Sequence, residues 1–461
     1  MLPSKVSRRT LLKQTAAAGV ATVGVAAGLR GAAAAPKTGA GLWMPYFQSG
    51  LTGEINVSYP DELGKKPPYV DQAAKAVESA NSGTTIKVDL QKIGSDEFYT
   101  KLLLALDAGN AADVFHVGGN SIGELSEAGY IEPLDDYLAK WPDWEEYYPE
   151  SVRGGVSYQG KVWAIPYGLD TRFLYFRRDV FKAAGLAEDW QPANVAGILD
   201  AAKTIKGSGS KAIPYALYAG QAGSGGTADH AFIPLVWAYG GDVIDQNGKW
   251  VGNSPAIVKA LTYYQEAYQT DKLVPQEILT TTKPWTAMRE KLGNGQLALL
   301  FEGGWVYGGW YTADKAATET NVGYVLHPTE NGGPSFTIGG PGTCWYINAA
   351  SKNKDLAFEF VKAFNTKDIV AKLNIEDPHP VARTDSAKVP EFQAQKFLVD
   401  STESLKKARF VPPDPNTAKF QMAVQAATGA VASGDKSPED AAKSYDQDLR
   451  RAVGDDNVVT A

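Results

Sequence analysis

From about Thr84 to its C-terminus the chain switches repeatedly between a two-residue and a helical apolar period. That alternation restricts it to an α/β architecture. Thr85–Ile93 predicts a strand. Ser95 stands as the cap of the next helix, with Glu97 favourable in the first turn. Phe98, Leu102 and Leu106 share one helix face, and Gly109 ends it. Asp113–Val117 is a short apolar strand, followed by Gly118-Gly119-Asn120-Ser121 as a loop and a second helix to Gly129. In open α/β sheets ligands gather beyond the carboxyl ends of strands, so Gly118–Ser121 is a candidate site loop.

Later segments repeat the pattern. Ser254-Pro255 starts a helix whose stripe is Ile257, Leu261, Tyr264 and Tyr268. Leu297–Phe301 reads as a buried strand that breaks at Glu302-Gly303-Gly304-Trp305. Asp355–Phe364 reads as a helix, Val411–Pro415 as a rigid linker, Ser437-Pro438 as a capped helix start, and Gly207–Ser210 and Gly220–Gly226 as loops.

The first 34 residues read as a twin-arginine export signal. Arg8-Arg9 precedes Leu11-Leu12-Lys13, an Ala/Gly/Val stretch too short to span a membrane, and an Ala32–Ala34 cleavage site. Cleavage after Ala34 leaves 427 of 461 residues, more than one hydrophobic core usually serves, so two lobes are expected. The signal takes five basic residues with it, and the remainder has 40 basic against 52 acidic side chains. Such a surface argues against nucleic acid or an anionic membrane as partner. The single cysteine, Cys344, excludes an internal disulfide. It stands far from the cut, where a lipid anchor would need it, so a soluble periplasmic or extracellular protein is expected. In the apolar run Thr343–Ile347 its thiol should be buried and inert.

Catalytic motifs are sparse. Gly119-Asn120-Ser121-Ile122-Gly123 matches a Gly-x-Ser-x-Gly nucleophile elbow between strand and helix, but no upstream His-Gly-Gly loop exists to supply an oxyanion hole. Gly223–Ala228 matches a dinucleotide fingerprint only loosely, deep in the chain. The four histidines are scattered, without metal-ligand spacing. No cofactor, no metal and no enzymatic activity are expected. A secreted hydrolase using Ser121 is the alternative.

Several segments in order resemble the family 1 extracellular solute-binding proteins, which include the maltose-binding type. They are Gly94–Leu102 through Ala108–Phe115, Tyr158–Gly168 (YQGKVWAIPYG), Leu174–Phe181, Gly240-Gly241 with Asn253–Pro255, Phe301–Trp305, Ile347–Ser351 and Pro380–Arg383. The resemblance implies a two-lobed periplasmic-binding-protein-like fold with a hinge, closing on ligand in an interlobe cleft. It implies a monomeric carbohydrate-binding component of an ABC importer that delivers its sugar to a membrane permease. A polyol, phosphodiester or polyamine is the alternative solute. The implied lobes are 35–168 plus 340–385 and 169–339 plus 386–461, with crossings near Pro166–Asp170, Gly339–Trp345 and Arg383–Pro390. The start departs from the family: 41–46 reads as the first strand, with Lys65-Lys66-Pro67-Pro68 in an insertion behind it.

Sugar capture needs flat aromatic faces for the C–H face of a pyranose and polar groups matched to its hydroxyls. Trp305, carried past a strand end by two glycines and at the family's stacking position, is the first candidate. Asp170 lies beside the first crossing, Asn120 in the first-lobe loop, and Glu302 in the Trp305 turn. Trp237 and Trp285 are further candidate rings, and Trp345 and Arg383 lie near crossings. Arg172, Arg177 and Arg178 are read as a solvated basic face.

Overall fold

The computed structural model describes residues 47–61, 64–148 and 152–460; the signal and residues 41–46 lie outside them. The first strand of the sheet is β1, Gly53–Pro60. Ile55, Val57 and Tyr59 point into the core while Glu54 and Asn56 point out, the period of a half-buried strand. The expectation of a first strand at 41–46 lies outside the described residues, among which Gly53–Pro60 comes first. Of the segment Lys65–Pro68, Pro67 and Pro68 open α1, Pro67–Ala80, with Lys66 at its N-cap position. Proline fits a first helical turn because its φ is preset and the missing N–H has no partner there anyway.

Strand β2 (Thr84–Gln91) pairs in parallel with β1 along its whole length. In α2 (Ser95–Asp107) Phe98, Leu102 and Leu106 are buried, and Gly109 follows at φ +68°. Ser95 does not cap this helix; Gly94 holds that position and no side chain bonds the free N–H groups. Strand β3 (Val114–Val117) is buried throughout and leads through the turn Gly119–Ser121 into α3, Ile122–Glu127.

The chain then supplies β4 (Ile165–Asp170) and, after Thr171 alone, β5 (Arg172–Arg177). It continues through α4 (Pro255–Gln265), α5 (Pro284–Gly293), β6 (Leu299–Gly303), α6 (Trp305–Ala313), β7 (Val322–Val325) and β8 (Gly340–Ile347). Two sheets result. One has the order β2-β1-β3-β8-β4; the other, β7-β5-β6, is antiparallel. In the larger sheet β1 is parallel to β2 and β3, whereas β8 runs antiparallel to β3 and β4. The chain passes from one sheet to the other at Thr171. It returns between Ile338, which bridges to Arg409, and Gly340, which opens β8.

Other capping expectations hold where the hydroxyl reaches its target. Ser254 Oγ accepts from Ile257 N (3.3 Å) at the start of α4, and Ser437 Oγ from Asp440 N (3.2 Å). Gly220–Gly226 is not a plain loop: 221–223 and 224–227 form two short helical turns, stitched by Thr227 Oγ1 to the Gly220 carbonyl (2.9 Å). Cys344 is buried, and desolvation pushes its thiol well above the ordinary range, which keeps it protonated and unreactive. No helix among the described residues is long and apolar enough to cross a membrane.

Candidate functional site

The order of the larger sheet places a switch point between β1 and β3, whose connections leave on opposite sides. Loops beyond their carboxyl ends should frame a crevice. The loop after β1 brings Lys66. Its Nζ stands between Asp61 Oδ1 (3.8 Å) and Asp377 Oδ2 (3.7 Å), while Asp61 also accepts from Gly64 N and Lys66 N (both 2.9 Å). The loop after β3 presents Asn120, exposed on its tight turn. Glycine is required there: a Cβ on Gly119 would stand 2.7 Å from the Pro341 carbonyl of β8. Beneath these loops His116 Nε2 meets Tyr167 OH at 2.9 Å. Burial first, and Lys66 next, hold His116 well below the usual imidazole range, so it is neutral.

Strands β5 and β6 supply the opposing wall. Arg172 opens β5 and its backbone is pinned both ways by Thr337 Oγ1 (2.8 Å). It is 7% exposed, yet its guanidinium makes no hydrogen bond to any described residue, and Nε is fully enclosed. Its near neighbours are Asp170 Oδ2 at 3.9 Å and the Trp305 ring, 5.5 Å from centroid to guanidinium carbon. Trp305 begins α6. A Cβ on Gly303 would fall 2.3 Å from the indole, and one on Gly304 would meet Thr171 Oγ1 at 2.7 Å. The two glycines therefore let the ring fold back over the end of β6. His379 stacks on it at 6.0 Å with ring planes 18° apart, and His230 meets it at 68° and 5.9 Å. Asp229 adjoins this group; burial raises its pKa against the lowering pull of Arg172 and His230.

Of the expected residues, Trp305, Asp170 and Asn120 come together. Gly342 of β8 separates the latter two: a Cβ there would overlap Asp170 Oδ1 at 1.9 Å, and its carbonyl lies 3.4 Å from a Cβ built on Gly118 beside Asn120. Glu302, Trp345, Arg383 and Trp237 are corrected, each being buried. Glu302 is fully buried. It accepts from Arg289 Nε (3.0 Å), Tyr218 OH (3.1 Å) and Gly303 N (2.8 Å). His230 Nδ1 lies 2.6 Å away, close enough for charge pairing although not aligned for a hydrogen bond. Burial alone would raise its pKa; His230 and Arg289 outweigh burial and hold it far below the carboxylate range. It braces the strand end and does not face solute.

Trp345 is completely buried in the larger sheet's core, edge-on to Phe360 and Phe364. Arg383 is 1% exposed, with its donors spent on Asp385 (2.9 and 2.7 Å), Asp143 (3.0 Å) and the Asn365 carbonyl (2.8 Å). Trp237 is buried against Phe336, with Nε1 on Asp242 (2.8 Å) and Arg409 stacked 4.4 Å above it. Trp285 is partly exposed on α5, one turn before Arg289, and packs against the buried core. The basic group on β5 is not a solvated face either. Arg177 is buried and chelates Asp179 (2.8 and 2.7 Å), and Arg178 caps the carbonyls of Glu319 and Val322.

Sequence reasoning passed over Lys66, Arg172, Asp229, His230 and His379. The period-two run Ile55-Val57-Tyr59 was the signal that would have located Asp61 and Lys66. Ser121 lies by the Tyr99 hydroxyl, and no histidine among the described residues bonds it, so the elbow motif has no base. No group of three or more metal-ligating side chains occurs among the described residues.

Strand ends of two sheets meeting at the topological switch point of one of them is the arrangement in which open α/β sheets bind ligands. The model of the bacterial extracellular solute-binding proteins matches residues 62–371. The chain belongs to that family. Members are binding proteins placed outside the cytoplasmic membrane, and the family's two-lobed fold is the one described above. The chain is 26% identical over 387 residues to the diacetylchitobiose binding protein DasA of Streptomyces coelicolor, covering 81% of this chain and 84% of that one. Among solved structures, a Thermotoga lettingae ABC-transporter solute-binding protein bound with α-D-tagatose superposes with a TM-score of 0.75 at 22% identity, over 87% of this chain and 100% of that one. The GacH receptor of Streptomyces glaucescens, solved unliganded and with acarbose, gives 0.72 at 20% identity, over 88% and 99%.

Proposed function

We propose that this protein captures a carbohydrate between Asp61, Lys66 and Asn120 on one wall and Asp170, Arg172 and Trp305 on the other, then closes over it and delivers it to an ABC permease. The lobes in this reading are 35–168 with 340–385 and 169–339 with 386–461, hinged where β4 meets β5 and where β8 begins. Closure follows from linkage, because a solute that touches both walls only in the shut state shifts the population toward it. The protein is exported through the twin-arginine pathway, loses residues 1–34, and works as a soluble monomer without an anchor.

The observation that carries the reading is Arg172, nine-tenths buried beside an indole face, with its enclosed Nε unbonded among the described residues and only the Asp170 carboxylate near, at 3.9 Å. Leaving such a charge unmatched is costly, and a solute with paired acceptors supplies what is missing. The indole accounts for the apolar C–H face of a sugar and the fork of Arg172 for two neighbouring hydroxyl oxygens. Diacetylchitobiose, tagatose and acarbose, named for relatives and neighbours, all present such faces.

A panel of mono- and oligosaccharides, polyols and amines in a thermal-shift titration tests this. A cognate sugar at a thousandfold excess over its Kd should stabilise the fold by ~4 kcal/mol. Stabilisation by polyols or amines alone would refute the carbohydrate assignment.

A further inference from the structure

The segment Pro378–Arg383 adds itself to the edge of β4. Leu169 N donates to the Pro380 carbonyl (2.8 Å), Ala382 N to the Tyr167 carbonyl (3.4 Å), and Gly168 bridges Val381. Gly168 permits this approach, since a Cβ there would lie 3.2 Å from His379 Cβ and 2.7 Å from both Thr343 Oγ1 and Asn374 Oδ1. His379 is thus fixed to the strand that ends at Asp170, beside the Thr171 passage. Its Nδ1 bonds the Asp377 carbonyl at 2.8 Å, which leaves Nε2 without a hydrogen bond to any described residue. Its ring lies against Trp305 with planes 18° apart.

The contact continues one helical turn further along α6. Trp305 and Gly308 share a helix face, and a Cβ on Gly308 would run into Pro378 at 2.0 Å. One face of α6 therefore rests on the dipeptide Pro378-His379. The indole expected to receive a sugar is met by an imidazole, itself a flat ring with a spare polar edge. Two near-parallel rings on opposite walls form a slot, and a pyranose entering it would have a ring against each of its faces.

We propose that His379 is a solute-contacting, specificity-determining residue: the first-wall jaw opposite Trp305, with its Nε2 bonding a solute hydroxyl. In the shut state without solute the two jaws close on each other, and solute enters by parting them. The slot selects rings with two flat faces over linear polyols, which cannot fill both jaws at once. This inference rests on the carbohydrate reading of the same crevice.

The test compares the wild-type protein with H379A and H379F, by calorimetric titration with the best sugar of the panel and with a linear polyol of the same carbon number. H379A should lose about tenfold in sugar affinity, and H379F, which keeps the jaw but not Nε2, about threefold. Polyol affinity should move less than sugar affinity in both. Sugar affinity of H379A within twofold of wild type would overturn the proposal while leaving the carbohydrate reading intact. Absence of sugar binding by the wild type would instead bring down the reading on which it rests. Should H379A fail to fold, H379F decides alone: an affinity loss supports the assignment and an unchanged affinity overturns it.

Discussion

Arg172 and Arg383 are both nearly inaccessible, yet the guanidinium of the first bonds no described residue and that of the second makes four hydrogen bonds. Around Arg383 two carboxylates and a carbonyl take four of the five guanidinium hydrogens, and Tyr147 packs beneath at 5.7 Å. Around Arg172 the nearest carboxylate oxygen is 3.9 Å away and the partner is an indole face. Burial alone does not separate structure from function here. A saturated buried charge holds elements together, and an unsaturated one awaits an acceptor.

Breaking each arginine's surroundings separates the two roles. The largest expected effect is on stability: Arg383→Ala strands Asp143 and Asp385 and should cost about 3 kcal/mol in denaturant unfolding, with sugar affinity of the folded fraction unchanged. Next comes Trp305→Ala, expected to weaken sugar binding by about 2 kcal/mol in a calorimetric titration while shifting the unfolding midpoint little. Unchanged affinity would remove Trp305 from the solute site. Arg172→Met should weaken binding by about 1.5 kcal/mol, because the solute loses charged donors. Its unfolding free energy should change by less than that of Arg383→Ala, since the lost charge makes only a long ion pair with Asp170 and no side-chain hydrogen bond to a described residue. A stability loss as large as that of Arg383→Ala would collapse the distinction between the two walls.

The same contrast explains what could be read in advance. The helix stripes of α2 and α4, the serine caps before Pro255 and Pro438, and the exit of Trp305 through two glycines are local patterns, and local sequence carries them. The position of β1 was also legible in Ile55, Val57 and Tyr59. It goes unused when the first strand is placed at 41–46 and Pro67-Pro68 is taken as part of an insertion, not as a helix start. Trp345 and Arg383 defeated the reading for another reason. Closeness to a chain crossing says nothing about which face of a strand a side chain occupies, and both turned inward. Lys66, Arg172 and His379 meet only because three remote segments end at one crevice, and no spacing in the chain encodes that.

Histidines extend the comparison to the pH dependence of stability. His327 and His379 both spend Nδ1 on a nearby backbone carbonyl, those of Pro328 and Asp377. His327 is enclosed between Phe301 and Phe336, and burial pushes its pKa down to about 4. The unfolded chain has an ordinary imidazole near 6.5. As pH falls from 6.5 toward 4, the unfolded state takes up a proton that the folded state refuses, so this residue makes stability decline with acidification. The slope approaches ~1.4 kcal/mol per pH unit in the middle of that window and vanishes above and below it. His327→Phe should flatten this part of the stability–pH curve, measured by urea unfolding at half-unit steps. An equal slope in wild type and His327→Phe would mean that the enclosed imidazole protonates without resistance, and the core–crevice distinction would fail for histidine.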